Sequence, residues 1–167
     1  MPVHPQLQAC LDELTTALAG VSAADAERAI DGRWSVANIV EHLDLTFSRN
    51  AAALERRLAR PDVETRPRTM KQAVARFIVV TLGYFPEGRK SPPMVVPQGQ
   101  PFAEVSAGLE AHLRALDSAM AEAERTLGAT TAVLDHPVIG PLSINDWRKF
   151  HVVHTKHHVK QIRERLS

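Results

Sequence analysis

Four histidines crowd into eight residues near the C-terminal end, His151-Val152-Val153-His154-Thr155-Lys156-His157-His158, and five of the eight in the chain follow Leu134. Imidazole is the commonest protein ligand for transition metals and a proton carrier near neutral pH, so this density needs a chemical explanation. On a helix each residue turns by about 100°, which puts His154 and His158 about 40° apart and one turn above one another. Two imidazoles so placed reach a common ion, while His157 falls about 60° to the other side of His154. Taking His154 as origin, Ile144, Trp147, Phe150, His151 and Ile162 lie within about 80° of it, whereas Lys149, Lys156, Lys160 and Arg163 point away. The pair therefore faces a protein interior, where converging imidazoles satisfy their nitrogens economically by sharing a metal.

The His-x-x-x-His spacing is not decisive alone, because eight histidines in 167 residues give about 0.4 such pairs by chance. A helix of hydrogen-bonded or solvated histidines fits it equally well. A third ligand from elsewhere would separate these readings, and the best candidate is His42 within Trp34-Ser35-Val36-Ala37-Asn38-Ile39-Val40-Glu41-His42-Leu43. It sits two turns into its helix at the edge of the apolar stripe, about 120° from the stripe's centre. That position permits it to border a cleft, or to be a polar residue flanking the core.

The elements that must carry these residues are helical. Leu7, Cys10, Leu11, Leu14 and Leu18 recur at helical spacing over residues 5–18, ahead of Gly20. Ser22 caps a short piece that Gly32 ends. Ser35 caps a long helix reaching about residue 60, where Pro61 blocks continuation. Thr69 caps a further segment through Leu82. Residues 83–101 hold four glycines or prolines in each half and read as a long ordered loop or lid over or beside the metal cleft. Helix resumes over residues 102–127 with Val105, Leu109, Leu116 and Met120 as a bundle seam. A loop with His136-Pro137 and Gly140-Pro141 precedes the last helix, which starts at Ser143-Ile144-Asn145-Asp146 and runs to about residue 165. The expected fold is a single all-α domain over residues 1–167, a four-helix bundle with long connecting loops whose chain order is left open.

Composition agrees with helix and narrows function. Hydrophobic residues make up 44% and aromatics 5%, enough for a core but poor in sheet formers. Twenty Lys and Arg against 19 Asp and Glu leave a net charge of +1, with no basic field to draw nucleic acid. No stretch has the length of a membrane-spanning helix, residues 1–20 lack the unbroken apolar core of a signal peptide, and lone Cys10 has no disulfide partner. The expectations are a cytoplasmic protein without nucleic-acid or membrane partners.

Trp34-Ser35, Glu41-His42-Leu43 and His154-x-x-His157-His158-x-x-Gln161-Ile162 resemble the DinB-like superfamily of four-helix metal-binding proteins. His136-Pro137-Val138-Ile139-Gly140-Pro141-Leu142-Ser143 ahead of Trp147 looks closest to a branch of unknown function. The resemblance spans the chain and implies one histidine from the second long helix plus the i, i+4 pair of the last: His42, His154 and His158 around one divalent ion. His157 then becomes a rim residue or alternative ligand, and a possible homodimer follows from the habit of relatives.

Three neutral imidazoles suit zinc, nickel or ferrous iron and leave a position for water or substrate. Such an ion would acidify a thiol or water, so the expected activity is transfer of a small-molecule thiol to an electrophile, with hydrolysis or a non-catalytic metal-binding module as alternatives. Glu41 and Asp44 turn away from His42, which leaves a hydrolase without a carboxylate base. Gln161 reads as a support for a ligand or as a packing residue, the latter preferred. His112, between Leu109 and Leu116, reads as a core histidine in preference to a support for the site. His151 shares that ambiguity, and His136 is placed to order its loop. Cys10 reads as core, and Arg33, Arg89 and Lys90 as solvated charges that could orient an anion.

Overall fold

The computed structural model describes every residue except Met1, Pro61, Val63, Glu64, Glu87 and Arg89. Among the described residues six α-helices appear in the order α1 (Pro5–Leu18), α2 (Ala23–Glu27), α3 (Val36–Leu58), α4 (Met70–Arg76), α5 (Phe102–Leu127) and α6 (Ile144–Leu166). A hairpin of β1 (Ala132–His136) and β2 (Gly140–Ser143) stands before α6. The chain is mainly helical, as composition implies.

Local chemistry explains where the helices begin. Ser22, Ser35, Thr69 and Ser143 each accept a backbone N–H of the third residue beyond, and Ser35 with Asn38 and Thr69 with Gln72 form reciprocal capping boxes. Pro101 offers no such side chain, and the carboxylate of Glu27 takes the Phe102 N–H at 2.9 Å instead. Helix α3 ends at Leu58, two residues short of the expected stop, and Pro61 lies outside the described residues. The short second helix ends at Glu27 rather than at Gly32. After Arg76 the fourth helix widens into a π turn over Phe77–Thr81 that buries Val79 and Val80.

The hairpin departs from the expected loop. Pro137, Gly140 and Pro141 exclude helix, but Val133, Ile139 and Leu142 are buried at 1%, 2% and 0% exposure. An extended, paired backbone is what lets so short a segment insert these three side chains without stranding its amides. His136 Nδ1 accepts the N–H groups of Val138 and Ile139 at 3.1 and 3.3 Å, closing the turn as anticipated for that residue.

Leu7, Leu14, Leu43, Phe47, Leu113, Leu116 and Met120 are fully enclosed at the centre. Helix α3 packs most extensively on α5, and α1 on α6. Contacts of Trp34 with Arg165, His42 with His158 and Asn50 with His151 show α3 and α6 running antiparallel. Among the described residues no helix is long and apolar enough to cross a membrane.

Candidate metal centre

The antiparallel register brings His42 of α3 level with His154 and His158 of α6. The three side chains are 3–5% exposed. His154 Nε2 lies 3.2 Å from His42 Nε2 and 3.1 Å from His158 Nε2, and the three ligand atoms fall within 4.8 Å of one another. Two nitrogens at the usual zinc distance and a tetrahedral angle stand about 3.3 Å apart. The cluster could therefore hold a metal ion with little movement.

The far sides of the rings decide which nitrogens are offered. His42 Nδ1 is 2.7 Å from the carbonyl oxygen of Val95, which only accepts, so the proton sits on Nδ1 and the Nε2 lone pair faces the cluster. His158 Nδ1 meets Gln161 Oε1 at 2.8 Å, with the same consequence. The Gln161 amide nitrogen then contacts His157 Nε2 at 3.1 Å. His154 Nδ1 is buried without a hydrogen-bond partner. Without an ion, three lone-pair-bearing nitrogens converge with at most one proton to share, an arrangement that a cation resolves.

Burial sets the protonation state. Loss of solvent lowers the pKa of His42, against the pull of its Val95 hydrogen bond. Burial, reinforced by the neighbouring imidazoles, holds His154 well below the ordinary value and brings His158 to about 3. All three rings are neutral at pH 7, the form that ligates.

Aromatic side chains wall the cluster. Phe150 stacks on His154 at 5.2 Å with the planes 14° apart, Phe85 meets His154 and His157 at 5.3 and 4.9 Å, and Trp34 tilts over His42 at 5.2 Å. Of the loop between the fourth and fifth helices, Phe85 and Val95 thus lie beside the cleft. The neighbour of His42 pins this loop from outside: the buried Glu41 carboxylate accepts the N–H groups of Gln98, Gly99 and Gln100 at 2.8, 2.9 and 3.1 Å. Glu41 is therefore a structural clamp turned away from the cluster.

The other singled-out residues separate clearly. His112 is not a core residue: its side chain is 44% exposed and pairs with Asp44 Oδ1 at 2.6 Å across α3 and α5. The apolar neighbours Leu109 and Leu116 misled because His112 lies at the seam's edge, where α3 offers a carboxylate. His151 is fully buried, with Nε2 3.3 Å from Asn50 Nδ2 and Nδ1 unpartnered. Gln161, read first as packing, hydrogen-bonds a cluster histidine. Cys10 is buried, donates to the Gln6 carbonyl at 3.3 Å, and has its pKa pushed by burial to about 11, as a core thiol should. Arg33 is exposed beside Asp31, Lys90 is exposed, and Arg89 lies outside the described residues. Sequence reasoning missed Phe85, the Val95 carbonyl and the Glu41 clamp. Of these only Glu41 left a trace, as an acid beside His42.

No curated protein and no solved structure matches the chain. Residues 5–165 match the family described as a protein of unknown function, DUF1569, and the chain belongs to that family.

Proposed function

We propose that this protein is a DinB-like four-helix metalloenzyme that binds one zinc, nickel or ferrous ion through the Nε2 atoms of His42, His154 and His158 and transfers a small-molecule thiol to an electrophile. The observation that supports it best is the convergence of the Nε2 atoms of three neutral imidazoles at 3.1 and 3.2 Å while the outer nitrogens of His42 and His158 are tied to Val95 and Gln161. Four long helices, α1, α3, α5 and α6, with ligands from the second and last of them, suit the same reading.

A divalent ion held there supplies Lewis acidity that lowers the pKa of a thiol or water reaching it. The chain's own groups do the rest. Val95 and Gln161 fix the imidazole tautomers, and Phe85, Phe150 and Trp34 exclude bulk water. Thiol transfer is favoured over hydrolysis because Glu41 and Asp44 are both engaged elsewhere and furnish no base.

A second reading, a non-catalytic metal-binding module, draws support from the low exposure of all three histidines. Metal-loaded protein assayed with cellular thiols against small electrophiles, beside esters and amides, separates the three. Thiol-dependent turnover absent from His154→Ala supports transfer. Hydrolysis without thiol, or metal binding without any turnover, assigns the alternatives.

A further inference from the structure

We propose that Arg165 anchors an oxyanion, a carboxylate or a phosphate, of the small molecule taken at the histidine cluster. The proposal deepens the metal-site reading and rests on it for the other end of that molecule. Among the described residues Arg165 is one of two buried arginines, 8% exposed. The other, Arg148, has Glu124 at 2.7 Å, although its Nε too is buried without a hydrogen bond. Arg165 has no such match: its Nε donates to the Trp34 carbonyl at 3.1 Å, while Nη1 is buried without a hydrogen bond. Its ion-pair partner Glu164 is 3.9 Å away, half-exposed, and also 3.8 Å from Lys160.

A guanidinium stays charged at any physiological pH and presents a fixed fork of N–H donors. Burying that fork with a donor that lacks a hydrogen bond is costly unless something returns to fill it, and an oxyanion that accepts two parallel N–H groups, a carboxylate or a phosphate, fits it best.

Its place on α6 connects it to the cluster. Seven residues beyond His158 is close to two whole turns, so Arg165 lies within about 20° of both His154 and His158 and roughly 10 Å further along the axis. Long helical side chains lean toward the N-terminus, here back toward the ligands. Trp34 spans the interval: its carbonyl receives Arg165, and its ring lies 5.2 Å from the His42 ring. The implied ligand has an oxyanion at one end, an apolar middle laid along an indole, and its reacting atom at the cluster.

The test begins with the full chain stripped of metal, titrated calorimetrically with inorganic phosphate and separately with hexanoate, which tells the two oxyanions apart. At least one should bind saturably, at least tenfold more weakly in Arg165→Met and with partial recovery in Arg165→Lys, both variants retaining the wild-type helical circular dichroism. Equal binding by Arg165→Met, no recovery in Arg165→Lys, or no saturable binding by the wild type overturns the proposal. A zinc-loaded arm compares 6-mercaptohexanoate with 6-mercaptohexanol. The carboxylate should bind at least tenfold tighter, and Arg165→Met should erase that preference without weakening the alcohol; a preference that survives in Arg165→Met counts against the proposal. Failure of the wild type to take up zinc sinks the metal reading instead, and the metal-free titration then decides Arg165 alone.

Discussion

Acidifying the metal-free protein from pH 7 to pH 5 should remove a large part of its stability through histidines that are not ligands. Burial brings the pKa of His136 to about 4 and that of His151 to about 3, from an ordinary 6.5. Below pH 6.5 the unfolded chain takes a proton on each ring, whereas the folded chain does not until its own lower pKa is reached. The unfolded state binds more protons across this window, so stability is present above 6.5 and is lost as pH falls. At pH 5 the gap to 6.5 is worth about 2 kcal/mol for each ring, or about 4 kcal/mol for the two. That is a large share of the 5–15 kcal/mol typical of a domain. The lowered values of His42, His154 and His158 act in the same direction. Urea unfolding of EDTA-treated protein at pH 7, 6 and 5 measures the loss. His151→Leu shifts overall stability by stranding Asn50, but its loss between pH 7 and pH 5 should be smaller by about 2 kcal/mol. An identical pH dependence in that variant, or stability that holds or rises on acidification, would refute the reasoning.

Replacing Glu41 by Ala should free the backbone N–H groups of residues 98–100, raise hydrogen exchange across the loop, and weaken metal binding through the displaced Val95 carbonyl; unaltered exchange there would count against the clamp. Gln161→Leu should lower metal affinity by about 10- to 100-fold with helix content unchanged, read by competition with a chromophoric chelator, and unchanged affinity would return Gln161 to a packing role. Phe47→Ala, at a ring with 0% exposure, should cost about 3–5 kcal/mol in urea unfolding, and a loss below about 1 kcal/mol would mean that the core closes around the gap.

The helices were legible because their signals are local. Ser35, Thr69 and Ser143 announce helix starts, and the apolar periodicity of α5 delimits it residue for residue. His154 and His158 were legible for the same reason, since a pair on one helix needs only the wheel. His42 was not settled by its wheel because α3 has two buried sides: its apolar stripe faces α5 while His42 turns to α6. The hairpin escaped because five and four residues, broken by Pro137 and Pro141, are too short to show a period of two. Phe85, Val95 and the Glu41 clamp depend on where a loop rich in glycine and proline returns to α3, and no neighbouring residue encodes that distance. The Arg165 donor that lacks a hydrogen bond is likewise visible only once Trp34 stands opposite it.

The central claim is that three imidazoles from two helices hold one ion. Elemental analysis of the purified protein, coupled to X-ray absorption at the edge of whichever metal is found, tests it most directly. The expected result is about one ion per chain in the wild type, three imidazole nitrogens at about 2.0–2.2 Å, and near-complete loss of the ion in each of His42→Ala, His154→Ala and His158→Ala, but not in His112→Ala. Full occupancy in any of the three cluster variants, or an ion whose shell holds fewer than three imidazoles, would contradict the claim.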